Sequence, residues 1–198
     1  MEKTIAFFDF DGTITRKDTM LELIKFSKGK NAYYSGMLLL LPQMLAMKAG
    51  LISKSKAKER MLKHFFANTP LIVFNQRCKK FADEVLPSLI RPDAMTMINQ
   101  HLSNNDEVVV VSASAENWVS DWCKKNGLKF IATRLKTSDG KITGMLDGAN
   151  CNGEEKVNRI KLLFDPAEYS SVFCYGDTEC DKPMLKIATD PFYRLFNQ

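Results

Sequence analysis

Val108, Val109, Val110 and Val111 stand in one uninterrupted run. Successive side chains of a strand point to opposite faces of its sheet, so four branched apolar residues in a row need cover on both sides. A central strand of a parallel sheet has that cover, because its crossover connections lay helices on each face. The run therefore predicts an α/β fold. Thr4–Phe10 (TIAFFDF), Lys129–Arg134 and Ser171–Tyr175 read as further strands, rich in β-branched and aromatic residues. Between them, Ala94, Met97, Ile98, His101 and Leu102 recur at helical spacing behind Pro92. Trp118, Val119, Trp122 and Cys123 share a second helical face, closed by Asn126-Gly127. Glu154–Phe164 and Cys180–Ala188 are predicted as two more helices, and Ser138-Asp139-Gly140-Lys141 as a hairpin turn leading into Ile142–Met145. Strands and helices alternating in this way argue for a parallel sheet between helical layers.

The stretch from Asp18 to Glu84 breaks the alternation. Thr19–Phe26, Tyr33–Lys48, Lys54–Phe66 and Leu71–Val85 read as helices, punctuated by Gly29, Gly36, Pro42, Gly50 and Pro70. Ser53 is placed to cap the third. With no strand signal, residues 16–86 are expected to form an all-helical insertion into a core made of residues 1–15 and 87–198. Arg16–Glu84 holds 14 Lys or Arg against 5 Asp or Glu, while the whole chain carries +5, so basic charge is concentrated in the insertion. Such a segment suits an anionic substrate, an anionic membrane surface or an ordinary solvated face. Gly36–Leu45 (GMLLLLPQML) is apolar almost all round, yet too short and too interrupted by Pro42 to span a bilayer. It reads either as a buried helix or as an apolar surface that meets membrane or acyl chains.

The five cysteines are odd in number and include no CxxC pair, which argues against a disulfide framework or a zinc site. Met1–Phe10 carries Glu2 and Lys3 before a short apolar run that ends in acids, unlike a signal peptide. The expected location is cytoplasmic, with membrane association through the insertion as the further expectation. No nucleic-acid partner is expected.

Chemistry gathers where predicted strands end. Asp9-Phe10-Asp11-Gly12-Thr13 follows the first strand, Ser112-Ala113-Ser114 follows the valines, and Gly176-Asp177 with Asp181 follows Ser171–Tyr175. The C-terminal edge of a parallel sheet is where α/β proteins place their sites. Asp9 and Asp11, two residues apart in a strand, point the same way. Carboxylates from 9, 11, 177 and 181 meeting at one edge repel unless a cation joins them. An all-oxygen set without His or Cys favours magnesium. Ser112, Lys156 and helix-start N–H groups are then donors for phosphate oxygens. Each feature has a plainer reading: Asp11-Gly12-Thr13 as a turn, Ser112 and Asp177 as helix caps, Lys156 as a solvated helix residue. Their joint placement favours a shared site. His64 and His101 read as helix-face residues, and the tryptophans as core.

Asp9-Phe-Asp-Gly-Thr13, Ser112, Lys156 and Gly176-Asp-Thr-Glu-Cys-Asp181 resemble, in order, the four motifs of the haloacid dehalogenase (HAD) superfamily. The resemblance implies a Rossmann-like core, and the helical insertion resembles the cap of the phosphoserine-phosphatase-like branch. Within that branch the chain is similar to small hydrolases and phosphatidylglycerophosphatase-like proteins. What the resemblance implies is a magnesium-dependent phosphomonoesterase. Asp9 would be the nucleophile and Asp11 the general acid and base. Ser112, Lys156 and the main chain at Gly12 and Ala113 would bind phosphate. Asp9, Asp11 (through its carbonyl) and Asp177 would hold Mg2+, with Asp181 supporting the metal and Lys156. A phosphotransferase using the same aspartyl-phosphate, or a non-catalytic phosphate-binding module, are the alternatives. Asp18 stands near the position of a Glu, and Lys54, Lys56, Lys58 and Arg60 near that of an Arg, by which phosphoserine phosphatases recognise their substrate. The specificity candidates are therefore Asp18, Lys54, Lys56 and Arg60. This departure leaves a phosphorylated small metabolite or a lipid phosphate as the expected substrate.

Overall fold

The structure, a computed structural model, describes residues 3–196; the outermost bounds expected for the core, 1 and 198, lie outside the described residues. In chain order the elements are β1 (Thr4–Phe8), α1 (Thr19–Lys28), α2 (Lys30–Lys48), α3 (Lys54–Phe66), α4 (Leu71–Glu84), α5 (Leu86–Leu89) and α6 (Pro92–Ser103). There follow β2 (Glu107–Ala115), α7 (Glu116–Lys125), β3 (Lys129–Thr133), β4 (Leu135–Ser138), β5 (Lys141–Leu146), α8 (Glu154–Leu163), β6 (Ser171–Gly176), α9 (Lys182–Leu185) and β7 (Asp190–Tyr193).

The main sheet has five parallel strands in the order β3-β2-β1-β6-β7. Both faces are covered, as the valine run requires. Phe8, Val108 and Val110 pack under α1, α4, α6 and α7, whereas Ile5, Phe7, Val109 and Val111 pack with Ile160 of α8 and Met184 and Leu185 of α9. The chain winds one way from β1 to β2 and β3, and the other way through β6 and β7. The crevice of such a sheet opens at the strand ends beside that reversal. There β1 and β6 run in register, Phe8 beside Tyr175, and the Asp9 N–H donates to the Tyr175 carbonyl at 2.9 Å. The two acidic motifs are thus neighbours by construction.

Two expectations change in detail. The valine strand continues through Ser112 to Ala115, with its pairing to β3 slipping between Ser112 and Ala115. The Ser112-Ala-Ser114 segment therefore lies on an irregular strand end, not beyond it. The helix expected over Cys180–Ala188 is one 3-10 turn (Glu179–Asp181) plus the short α9, because the Asp181 side chain turns back to Thr178 and Pro183 follows. The α2 helix runs unbroken through Pro42, as the expected helix Tyr33–Lys48 requires.

Against the helical insertion lies a hairpin drawn from residues 135–146, outside it in sequence. The β4–β5 hairpin pairs with itself and packs on α3, apart from the main sheet. The Asn68 N–H donates to the Ile142 carbonyl and the Leu71 N–H to that of Gly140. Gly144, at φ +83°, lies so close to α3 that a Cβ there would sit 2.4 Å from the Lys63 Cα. The hairpin thus seats the helices over the C-terminal edge of the sheet.

Candidate active site

Lys156 is the third residue of α8 and is 1% exposed. Its ammonium lies 2.5 Å from Asp9 Oδ1 and 2.6 Å from Asp181 Oδ1. Burial pulls its pKa down; the two carboxylates outweigh this and hold it above the ordinary lysine value. Burial acts on Asp9 in the same sense as neighbouring negative charge, pushing its carboxyl up to about 7 against the pull of Lys156. Asp181 goes the other way. Desolvation is overcome by Lys156 and by hydrogen bonds from Thr178, which keep the carboxyl below its usual range. Its Oδ2 accepts from the Thr178 hydroxyl at 2.7 Å and the Thr178 N–H at 2.9 Å, so both its oxygens are engaged.

One carboxylate oxygen from each of Asp9, Asp177 and Asp181 lies within 4.8 Å of the others. This all-oxygen donor set fits a hard divalent cation. Gly12 makes the approach of Asp177 possible. It adopts φ +91°, and a Cβ there would stand 2.4 Å from Asp177 Oδ2. The Gly12 N–H donates to the Thr15 carbonyl, inside its own turn. Thr13 donates to Asp177 Oδ1 at 3.2 Å.

Asp11 points elsewhere than Lys156. Its Oδ1 accepts the Thr19 N–H at the start of α1, at 2.7 Å, and its Oδ2 accepts the Ser114 hydroxyl. Ser114 is in turn 3.2 Å from the Thr19 hydroxyl, which takes the Trp118 indole N–H at 3.0 Å. A relay of buried polar groups therefore fixes Asp11 at a helix N-terminus, where negative charge is favoured. Ser112 is buried, accepting the Ser114 N–H at 3.0 Å.

Above these groups is a cavity of about 380 Å³. Asp9, Asp11, Ala113, Ser114 and Asp181 line its floor; Ser112 and Lys156 lie outside its lining. From the helices come Asp18, Lys54 and Lys58. Asp18 caps α1, accepting the Leu21 N–H at 3.0 Å. Lys54 reaches Cys180 Sγ at 3.3 Å. Lys58 donates to the Ala113 carbonyl and, at 3.1 Å, to Asn150 Oδ1. Lys56 and Arg60, also expected here, are exposed and absent from the lining. Residues 54, 57, 58 and 61 form the inward stripe of α3, and a helix turns about 100° per residue, which carries 56 and 60 off it. Sequence reasoning missed Thr19 and Asn150, and it named Ser114 within its segment without giving it a role. For Ser114 the signal was present, since it shares a strand face with Ser112.

A sequence profile described as haloacid dehalogenase-like hydrolase matches residues 6–186. Protein CicA of Caulobacter vibrioides is 34% identical over 197 residues, covering 98% of this chain and 87% of that one. A Bordetella pertussis protein of unknown function superposes with a TM-score of 0.82 at 22% identity, over 96% of this chain and 88% of the other. A phosphoserine phosphatase described as a phospho-aspartyl intermediate analogue superposes with a TM-score of 0.63 at 22% identity, over 95% and 84%. These two likenesses establish a common fold.

Burial pushes the Lys58 ammonium down to about 8, against the pull of Asp11 and Asp18. An unfolded lysine titrates near ~10.4, so between these values the unfolded chain binds more protons than the folded one. In urea unfolding, wild type should gain stability relative to Lys58→Met as pH rises from about 8 to ~10.4. A difference between the two proteins that stays constant with pH would contradict this.

Proposed function

Because this chain belongs to the haloacid dehalogenase-like hydrolases, we propose that it is a magnesium-dependent phosphomonoesterase that carries the phosphoryl group on Asp9. The observation that carries the reading is the Lys156 ammonium bridging Asp9 and Asp181 at 2.5 and 2.6 Å, with Asp177 in the same oxygen cluster. The bridge holds one Asp9 oxygen and neutralises charge where an anionic phosphate must enter. The helical insertion is read as a cap that closes this floor into a cavity.

In the first step an Asp9 carboxylate oxygen forms a bond to phosphorus as the bond from phosphorus to the ester oxygen breaks. Asp11 gives the departing oxygen a proton, so an alcohol leaves. In the second step Asp11 takes a proton from water, whose oxygen bonds to phosphorus as the Asp9–phosphorus bond breaks, releasing phosphate. Lys156 keeps Asp9 oriented, and Asp181 keeps Lys156 in place. Asp9, Asp177 and the main-chain carbonyl of Asp11 would hold Mg2+, which supplies positive charge to the phosphoryl oxygens. Ser114 and Thr19 place the Asp11 carboxyl.

The substrate is a phosphorylated small molecule or a lipid phosphate. A lipid source is supported by the outer face of α2, where Leu38 and Leu39 are 71% and 67% exposed between Lys30 and Lys48. Among the described residues no helix is long and apolar enough to cross a membrane, so any contact would be peripheral.

On an aryl phosphate, turnover should need Mg2+, vanish with EDTA and return when Mg2+ is restored. Asp9→Asn should abolish it, and Asp11→Asn should lower kcat by about 10²–10⁴-fold. Near-normal turnover by either variant would overturn the mechanism. In flotation with anionic vesicles, wild type should float with lipid and Leu38→Glu/Leu39→Glu should remain at the bottom. Wild type left at the bottom would remove the membrane reading.

A further inference from the structure

The three helices over the catalytic floor present it with two kinds of wall. Both lysines that line the cavity turn to the sheet side, Lys54 to Cys180 and Lys58 to Ala113 and Asn150. Away from them the wall is made by Met20, Leu21, Leu40, Met44, Met47 and Met61. The α2 contribution, residues 40, 43, 44 and 47, is one helical stripe turned inward, the reverse of the leucines turned out. Among the described residues this wall carries no charge. Its polar member is Gln43, which keeps a buried amide oxygen without a hydrogen-bond partner. Asp18, Lys54 and Lys58 also line the cavity, but Asp18 accepts the Leu21 N–H and the lysines are engaged at Cys180, Ala113 and Asn150, so against the methionine wall itself a charged alcohol would lose water without gaining a counter-charge, which is costly. An apolar body gains from the same wall, and methionines adapt to irregular shapes.

We propose that the phosphate ester taken by this cavity has an uncharged, largely apolar alcohol moiety, seated against Met20, Leu40, Met44, Met47 and Met61 while the phosphate lies on the Asp9 floor. This rests on the phosphomonoesterase reading for its chemistry. The shared recognition element is an alkyl or aryl group next to phosphate, whether in a soluble ester or at the end of a lipid.

The test separates binding from turnover. Methyl-, butyl- and hexylphosphonate, which are not hydrolysed, are titrated into the full chain with Mg2+ by calorimetry. Affinity should rise by about fourfold for each buried methylene. In Met44→Gln/Met47→Gln the rise should fall below about twofold per methylene, with methylphosphonate binding unchanged; both side chains are half-buried, so the fold should tolerate the change. In parallel, kcat/KM for hexyl phosphate should exceed that for phosphoserine by at least about tenfold. Affinity flat with chain length, or phosphoserine turned over as well as hexyl phosphate, overturns the inference and leaves the phosphomonoesterase reading standing. A chain-length gradient without turnover of any ester upholds the apolar wall and overturns the phosphomonoesterase reading. Hexyl phosphate hydrolysed in solution points to a soluble ester, and phosphatidic acid hydrolysed in vesicles in preference to it points to a lipid end.

Discussion

A buried lysine ammonium between two carboxylates holds this site together. Lys156 is drawn from α8, Asp9 from the end of β1 and Asp181 from the turn after β6, so three distant parts of the chain meet at one nitrogen. Taking such charges out of water costs several kcal/mol each, and the pairing recovers this only when hydrogen bonds complete it. Here they do for Asp181, whose second oxygen is held by Thr178. For Asp9 the balance stays incomplete, which is why its carboxyl is pushed up to about 7. The oxygen cluster of Asp9, Asp177 and Asp181 fits the divalent cation proposed for it.

The rest of the architecture serves that geometry. Parallel registry of β1 and β6 puts Asp9 next to the Gly176-Asp177 turn, and a residue without Cβ at position 12 lets the two acidic segments close on each other. On the other side of the floor, Trp118, Thr19 and Ser114 pass hydrogen bonds to Asp11. The two aspartates of the first motif are thus held by different networks, one cationic and buried, one neutral and at a helix start. That division is the basis of the two separate roles proposed for them.

The parallel sheet was legible from four valines and from strands that end in acids, because burial on both faces and the C-terminal placement of sites are local consequences of strand geometry. The residues brought to the floor carry short motifs next to those strands. What could not be read was which stripe of each inserted helix looks inward. Lys54 and Lys58 line the cavity where Lys56 and Arg60 do not, a choice fixed by the packing of α3 under the β4–β5 hairpin. That hairpin was legible as a hairpin, but its partner was not, since its contact with α3 depends on a close approach at Gly144. For α2 the uniform apolar run concealed two faces, one in the cavity wall and one in solvent.

The central claim is covalent: phosphate passes through the side chain of Asp9. Its most direct measurement is mass spectrometry of peptides from the chain quenched in acid during turnover of an aryl phosphate with Mg2+. The account predicts one added phosphoryl group on the peptide that contains Asp9, lost on treatment with hydroxylamine. Steady turnover with that peptide unmodified, or with the phosphoryl group on another residue, would contradict it.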